Sequence, residues 1–209
     1  STEILSVALA VDGVVHLKEF AGIDARNSDW PIKIREFIEE FKLEFTDLDR
    51  MVVGTGPGSF AGIRGALSFV QGLAIGIHSR HLDFPKNPIV YGIPSSAALT
   101  KDDGLTAVVG DARRGLFWVV VYDGVKTVAD FKLVGKDELF DAIPENALVA
   151  TSDGVRIGGQ LDEMFGVRYS GCRMPSAERI AKIERYSRVI GVKADHLGFT
   201  RRAKALAES

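Results

Sequence analysis

The segment Gly54-Thr55-Gly56-Pro57-Gly58-Ser59-Phe60-Ala61-Gly62-Ile63-Arg64-Gly65 decides the fold. It follows an apolar stretch that reads as a buried strand and leads into a longer apolar stretch that reads as a helix. A strand, a glycine-rich loop and a helix N-terminus together favour an anion, because free backbone N–H groups and the helix dipole both attract negative charge. Gly56, Gly58 and Ser59 are therefore a candidate anion or nucleotide loop.

Two better-known phosphate loops and one nucleophile pattern fit this segment less well. A Walker loop ends in Gly-Lys-Ser/Thr, and no lysine occurs between Lys42 and Lys86. The dinucleotide pattern GxGxxA is met, but Pro57 stiffens the turn, so NAD binding stays a weak alternative. A nucleophile elbow needs glycines two residues either side of Ser59, where Pro57 and Ala61 stand instead. Ser59 is better interpreted as the N-cap of the helix, and no catalytic residue is predicted.

The helix behind the loop carries one stripe of small residues. Five positions fall within an arc of about 80° at 100° per residue; they are Gly62, Gly65, Phe69, Gly72 and Gly76. Four glycines in a helix cost about 2–4 kcal/mol relative to alanine. Close approach of a neighbour to this face offsets that cost, and the neighbour is either the rest of the same domain or another subunit. The apolar stretch from Ile63 to Ile77 is expected to be too short and too rich in glycine to span a bilayer.

A second polar segment, Asp111-Ala112-Arg113-Arg114-Gly115, lies between two predicted strands. Asp111, Arg113 and Arg114 are candidates for contact with a phosphate or with a partner's carboxylate, and a solvated turn is the alternative. No metal site is expected, because His78 and His81 have no third ligand at suitable spacing. The single cysteine, Cys172, allows no internal disulfide, which agrees with a reducing cytoplasm.

The element pattern predicts two similar lobes. Strands are expected at residues 4–11 and 14–20 around an Asp12-Gly13 turn, followed by an amphipathic helix from Trp30. We place the lobe boundary at the polar stretch 101–104, which gives an amino-terminal lobe of residues 1–100 and a carboxy-terminal lobe of 101–209. The last helix, predicted at 176–190, can pack back on the first lobe. Paired strands followed by helices, twice, indicate an α/β protein.

The charge balance argues against strong direct binding of nucleic acid. There are 26 basic and 28 acidic residues, and no run of lysine or arginine is longer than two residues. Phosphate neutralisation supplies most of the affinity of nucleic-acid-binding proteins, which therefore carry a basic surplus.

The sequence resembles the TsaB (YeaZ) family of tRNA threonylcarbamoyladenosine biosynthesis proteins. The segment 54–65 is similar to that family's glycine-loop signature, and 109–115 is similar to its second motif. Pro94-Ser95-Ser96-Ala97-Ala98-Leu99 and Pro175-Ser176-Ala177-Glu178 follow in the family's order. The family's first strand begins with an Asp-Thr that would lie upstream of Ser1.

The resemblance implies a fold and a role. The fold is that of the actin/Hsp70/sugar-kinase (ASKHA) type, with two ribonuclease-H-like lobes. The role is that of a non-catalytic cytoplasmic subunit that scaffolds the TsaD transferase, together with the TsaE ATPase, on tRNAs that decode ANN codons. The helix with Gly62 to Gly76 then contacts TsaD, or a second copy of the chain when TsaD is absent. No cofactor is expected, and ATP or ADP binds only weakly or within the complex. An ASKHA-type small-molecule kinase or nucleotide-binding enzyme is the alternative function.

Overall fold

The computed structural model describes residues 4–21, 29–58, 60–80 and 88–190. The chain divides into two compact units, one formed by residues 1–94 and 176–209 and the other by residues 95–175. The first unit is therefore discontinuous in sequence, and the boundary predicted after residue 100 lies a few residues beyond the observed division.

The first unit begins with an antiparallel hairpin. Strands β1 (Ile4–Val11) and β2 (Val14–Ala21) pair along their whole length, with Val11 opposite Val14. Asp12 and Gly13 form the two-residue turn with φ of 48° and 86°. Positive φ at both positions defines the type I′ turn that matches the twist of the strands, and aspartate and glycine tolerate it. The predicted hairpin is confirmed.

An amphipathic helix packs on this hairpin. Helix α1 (Trp30–Glu39) follows Asp29 and has Pro31 in its first turn. Phe37 and Ile38 on its apolar face are buried together with Leu9 of β1. A single 3₁₀ turn, Phe45–Asp47, then leads to the next strand.

Two parallel strands and two helices complete the first unit. Strands β3 (Arg50–Gly54) and β4 (Ile89–Ile93) pair in parallel, and helix α2 (Phe60–Arg80) lies between them in sequence. The last described helix of the chain, α4 (Ala177–Ile190), contacts β1, β2 and β3. Its start is tied to β1, because the Ala177 N–H donates to the Ser6 hydroxyl at 3.0 Å.

The second unit is built on one five-stranded sheet. Its strands are β5 (Leu105–Arg113), β6 (Leu116–Asp123), β7 (Lys126–Gly135), β8 (Leu148–Thr151) and β9 (Tyr169–Cys172). Their spatial order is β7-β6-β5-β8-β9; β6 runs antiparallel to its neighbours β5 and β7, whereas β8 and β9 run parallel to β5. A π-helical turn, Gly154–Gly158, and helix α3 (Gly159–Phe165) join β8 to β9. Each unit thus contains a hairpin followed by a pair of parallel strands.

The core of the second unit lies on one face of this sheet. Alternate residues of β5 and β6, such as Val109 and Val119, pack with Leu139, Leu161 and Phe165 and are almost fully buried. Residues 136–142 form a series of turns, and Leu139 among them occupies the core. Strands β7 and β9 were not predicted, because β7 is a mostly exposed edge strand and β9 is short and contains Gly171.

Candidate interaction surfaces

The glycine loop rests on the helix that follows it. The Thr55 N–H donates to the Ile93 carbonyl at 2.9 Å, which fixes the loop at the end of the parallel pair. Gly56 has a φ of 99°, and a Cβ there would lie 2.8 Å from Cδ1 of Ile63. Glycine is therefore required by backbone conformation and by close approach to α2. Gly58 is exposed, and Ser59 lies outside the described residues. The loop remains a candidate anion or nucleotide site.

The predicted stripe on α2 divides into a packed part and an open part. Gly65 and Phe69 face α1: a Cβ on Gly65 would lie 3.8 Å from the Trp30 ring, and the centroids of the Trp30 and Phe69 rings are 4.8 Å apart. No described atom lies within 4 Å of a Cβ built on Gly72 or Gly76. Gly62, at the start of the helix, is exposed. Packing against α1 therefore accounts for the middle of the stripe and not for Gly72 or Gly76.

The outward face of α2 carries mostly small residues, and Arg64 is exposed beside them. Ala61, Ser68 and Gly72 are exposed along it, and Gly65 and Gly76 lie at its margin. These five residues recur at intervals of three or four, and small residues at that spacing let a second helix approach closely. Phe60 is 74% exposed and Ile75 is 53% exposed, so large apolar groups stand at both ends. Among the α2 side chains that the structure describes, Ile77 alone is fully buried.

The same helix meets the length and composition criteria for a membrane span. Residues 60–78 have a mean hydropathy of 1.4 over an 18-residue window. The stretch 63–77 was predicted to be too short and too rich in glycine to span a bilayer; the prediction about its length was wrong, because the apolar helix begins at Phe60. One such helix is weak evidence for a membrane, and α2 packs against β3 and β4 on its other side.

A network of ion pairs forms where β5 and β8 end in the second unit. The Asp111 N–H donates to Asp153 Oδ2 at 3.1 Å, and the Arg113 N–H donates to Asp111 Oδ1 at 2.7 Å. Asp111 Oδ2 is 3.4 Å from Arg113 Nη1 and 3.4 Å from Arg156 Nε. Arg156 also pairs with Asp153. The structure therefore joins two of the predicted contact residues, Asp111 and Arg113, to each other and adds Asp153 and Arg156; their contact with a phosphate or a partner's carboxylate stays a prediction.

Asp153 and Arg156 were missed by sequence reasoning. The position of Asp153 follows from the pairing of β5 with β8. Val108 of β5 lies opposite Ala150 of β8 in a parallel register, so residues three positions later in each strand meet at the same edge. Asp111 and Asp153 occupy those positions. Asp153 closely follows the apolar run Leu148–Thr151, which is typical of a strand and suggests that Asp153 lies at a strand end. The sequence alone does not show that β5 and β8 are neighbours.

The family model described as "TsaD: tRNA N6-adenosine threonylcarbamoyltransferase" matches residues 29–145, which is more than half of the chain. The chain belongs to the TsaD family. Within that family its named relatives are TsaB, or YeaZ, proteins, which confirms the resemblance drawn from the glycine loop.

Sequence relatives of this TsaD-family chain match it over part of their length. Uncharacterized proteins of Mycobacterium tuberculosis and Mycobacterium bovis are 39% identical over 90 residues, which is 41% of this chain and 37% of theirs. The tRNA threonylcarbamoyladenosine biosynthesis protein TsaB of Escherichia coli is 29% identical over 122 residues, which is 56% of this chain and 50% of that protein. The aligned segments thus span half or less of the length of these relatives.

Solved structures establish the fold over nearly the whole chain. YeaZ from Pseudomonas aeruginosa matches with a TM-score of 0.70 at 20% identity, covering 93% of each chain. An uncharacterized protein with similarity to peptidase YeaZ, also from Pseudomonas aeruginosa, matches with a TM-score of 0.71 at 18% identity, covering 93% of this chain and 92% of that one. The predicted α/β fold of the ASKHA type is confirmed.

Potential metal ligands of this TsaD-family chain are dispersed. No three His, Cys, Asp or Glu side chains come together within the described ranges. His78 lies near the end of α2, and His81 falls outside those ranges. Cys172 is a free, exposed thiol at the end of β9.

Proposed function

We propose that this chain is a non-catalytic subunit of the machinery that forms threonylcarbamoyladenosine on tRNA, and that it scaffolds a TsaD-like catalytic subunit. Membership of the TsaD family and the name of the Escherichia coli relative support the pathway. The observation that carries the scaffold role is α2, a 21-residue apolar helix whose outward face is not covered by any of the residues that the structure describes. A helix of that composition is stable in water when a second surface covers it.

The open part of the α2 stripe supports a helix as the covering element. No described atom lies within 4 Å of a Cβ built on Gly72, so the backbone of a partner can approach there closely. Large apolar side chains at Phe60 and Ile75 border the small residues and supply area to bury. We expect the same face to bind a second copy of the chain when the catalytic subunit is absent, because one exposed apolar face suits either occupant.

The charge balance supports an indirect relation to the substrate. With a formal net charge of -2, the chain lacks the basic surplus that holds RNA, so tRNA is expected to bind through the complex. A TsaE-like ATPase is the third expected component. The protein then works in the cytoplasm, where tRNA is modified, and nucleotide binding by the isolated chain is expected to be weak or absent.

The scaffold proposal predicts that blocking α2 abolishes assembly without unfolding the chain. Gly72→Leu should remove co-purification with the TsaD-like protein of the same organism, because the new side chain occupies the space that a partner helix needs. Gly159→Leu is the matched control: it makes the same change at an exposed glycine of α3 that also has open space around its Cβ. Thermal melts followed by circular dichroism check that both variants stay folded.

Three outcomes contradict the proposal. A wild-type chain that does not associate with the catalytic subunit removes the scaffold role. Equal loss of association in both variants shows that α2 is not the interface. Calorimetric titration with ATP and magnesium tests the kinase alternative; tight binding together with phosphoryl transfer by the isolated chain would make it an enzyme.

A further inference from the structure

The hairpin between β5 and β6 places two arginines in an unfavourable backbone conformation. Arg113 has a φ of 71° and Arg114 a φ of 54°, and Gly115 completes the turn with a φ of 77°. Positive φ costs free energy for residues other than glycine, and least for asparagine and aspartate. The hairpin of the first unit uses Asp12-Gly13 for the same two-residue turn, where the second unit uses Arg114-Gly115. Hairpin geometry therefore does not explain arginine here.

The side chains of Arg113 and Arg114 are both exposed, and Arg113 alone of the two has an ion-pair partner among the described residues. Asp111 accepts the Arg113 N–H and lies 3.4 Å from its guanidinium, yet the Arg113 side chain is 67% exposed. Arg114 is exposed and has no ion-pair partner among the described residues. Both guanidiniums therefore keep donors available for an anion, and their planar forks match a carboxylate or a phosphate.

An exposed aliphatic side chain lies in the π-helical turn whose residues contact Asp111. Val155 is fully exposed and lies between Asp153 and Arg156, both of which contact Asp111. Leu116, directly after the turn, is also exposed. We call the turn 113–115 together with residues 153–156 the arginine tip. Arginine is enriched in the cores of protein–protein interfaces relative to the rest of the surface.

The charge of the arginine tip favours a protein over RNA. The arginine tip contains three arginines and one carboxylate, Asp153, and it pairs with a second carboxylate, Asp111, so that a surplus of one positive charge remains. Affinity for RNA comes from several phosphate contacts at once, and a surplus of one charge supplies little of it. One or two carboxylates on a protein surface need only the two exposed guanidinium forks.

We propose that the arginine tip is a second docking surface, distinct from α2, that binds an acidic protein surface within the threonylcarbamoyl machinery. This inference rests on the proposed function for the identity of the machinery. The backbone conformation at Arg113 and Arg114 is then maintained for binding, and the free energy that it costs is recovered in the complex.

The test removes the charges and keeps the turn. Arg113→Asn/Arg114→Asn places residues that tolerate positive φ at both positions, so the melting temperature should not fall. The matched control, Lys126→Asn/Lys132→Asn, removes the same charge from the exposed edge strand β7. Calorimetry measures binding of each chain to the TsaD-like and TsaE-like proteins of the same organism, and fluorescence anisotropy measures binding to a tRNA transcript.

We expect the arginine variant to bind one of the two proteins about tenfold more weakly or worse. The difference in affinity between the arginine variant and the wild-type chain should become smaller at high salt, and the lysine control should bind with the affinity of the wild-type chain. Unchanged affinity of the arginine variant for both proteins overturns this inference, as does an equal loss in the lysine control or a loss confined to tRNA. A wild-type chain that binds neither protein refutes the proposed function as well, so the two failures are distinguishable.

Discussion

One methyl group added at two glycines should change stability in opposite directions. Gly110 of β5 lies across from Trp118 of β6, and a Cβ on Gly110 would lie 2.2 Å from two atoms of the indole ring. Ordinary contact begins near 3.4 Å, so the ring must move by about 1 Å. Trp118 is buried and stacks on Phe131 at 6.3 Å between centroids, which limits that movement. Overpacking of this kind costs about 1–3 kcal/mol, and we expect the upper end for Gly110→Ala.

The same substitution in α2 meets no obstacle. No described atom lies within 4 Å of a Cβ on Gly72, so only the helix propensity changes. Gly72→Ala should therefore raise the free energy of unfolding of the monomeric chain by about 0.5–1 kcal/mol. For a chain of this size, 1 kcal/mol corresponds to a shift of roughly 2–4 °C in the melting temperature.

The two tryptophans allow each unit to be followed separately. Trp30 lies in the first unit and Trp118 in the second, and the chain contains no other tryptophan. Urea unfolding of Gly72→Ala is measured in a Trp118→Phe background, and that of Gly110→Ala in a Trp30→Phe background, each against its own parent. Protein concentration is kept low, because self-association through α2 would couple stability to concentration. An unchanged midpoint for Gly110→Ala would refute the close approach of Trp118 on which the reasoning rests.

Two further substitutions test single hydrogen bonds. Ser6→Ala removes the acceptor for the Ala177 N–H at the start of α4 and should cost about 1 kcal/mol in urea unfolding, whereas Ser6→Thr, which keeps a hydroxyl, should cost less. Tyr122→Phe removes the 2.7 Å hydrogen bond to Ser96 and should cost about 0.5–1.5 kcal/mol at neutral pH. Burial raises the pKa of the Tyr122 phenol above 10.0, so its stabilising contribution is present below pH 10.0 and lost as the pH rises through the raised value. The loss of unfolding free energy in Tyr122→Phe, relative to the wild-type chain, should therefore become smaller as the pH rises above 10.0. A loss that stays constant above that pH would contradict the argument from burial.

Elements specified by local chemistry were predictable from the sequence. The Asp12-Gly13 turn, the proline in the first turn of α1 and the apolar run of β3 each carry their own signal, and the structure has all three. Segments defined by their neighbours were not predictable. Strand β7 exposes Phe131 and Leu133, so its pattern lacks a buried face. Residues 136–142 have helical spacing but form separate turns.

The candidate sites show the same division between local and long-range information. The glycines of α2 and the arginines of the β5–β6 turn stand out in the sequence because their types do not suit their positions. Whether Gly65 or Gly72 faces the same domain depends on where Trp30 lies, which no local pattern states. Asp153 and Arg156 join Asp111 only because β8 is the neighbour of β5.

Both proposed surfaces contain residues that weaken the isolated chain. Three glycines on or beside the outward face of α2, Gly65, Gly72 and Gly76, cost about 1.5–3 kcal/mol relative to alanine, and two arginines with positive φ cost about 2–4 kcal/mol more. Stable domains lie only about 5–15 kcal/mol below their unfolded state, so these costs are large. Residue types that do not suit their local backbone structure are expected at functional sites, and here such residues lie on exposed surfaces. An enzyme concentrates such residues in a cleft that holds substrate, whereas a subunit places them where another chain binds. The outward face of α2 and the arginine tip therefore support a role exercised through partners.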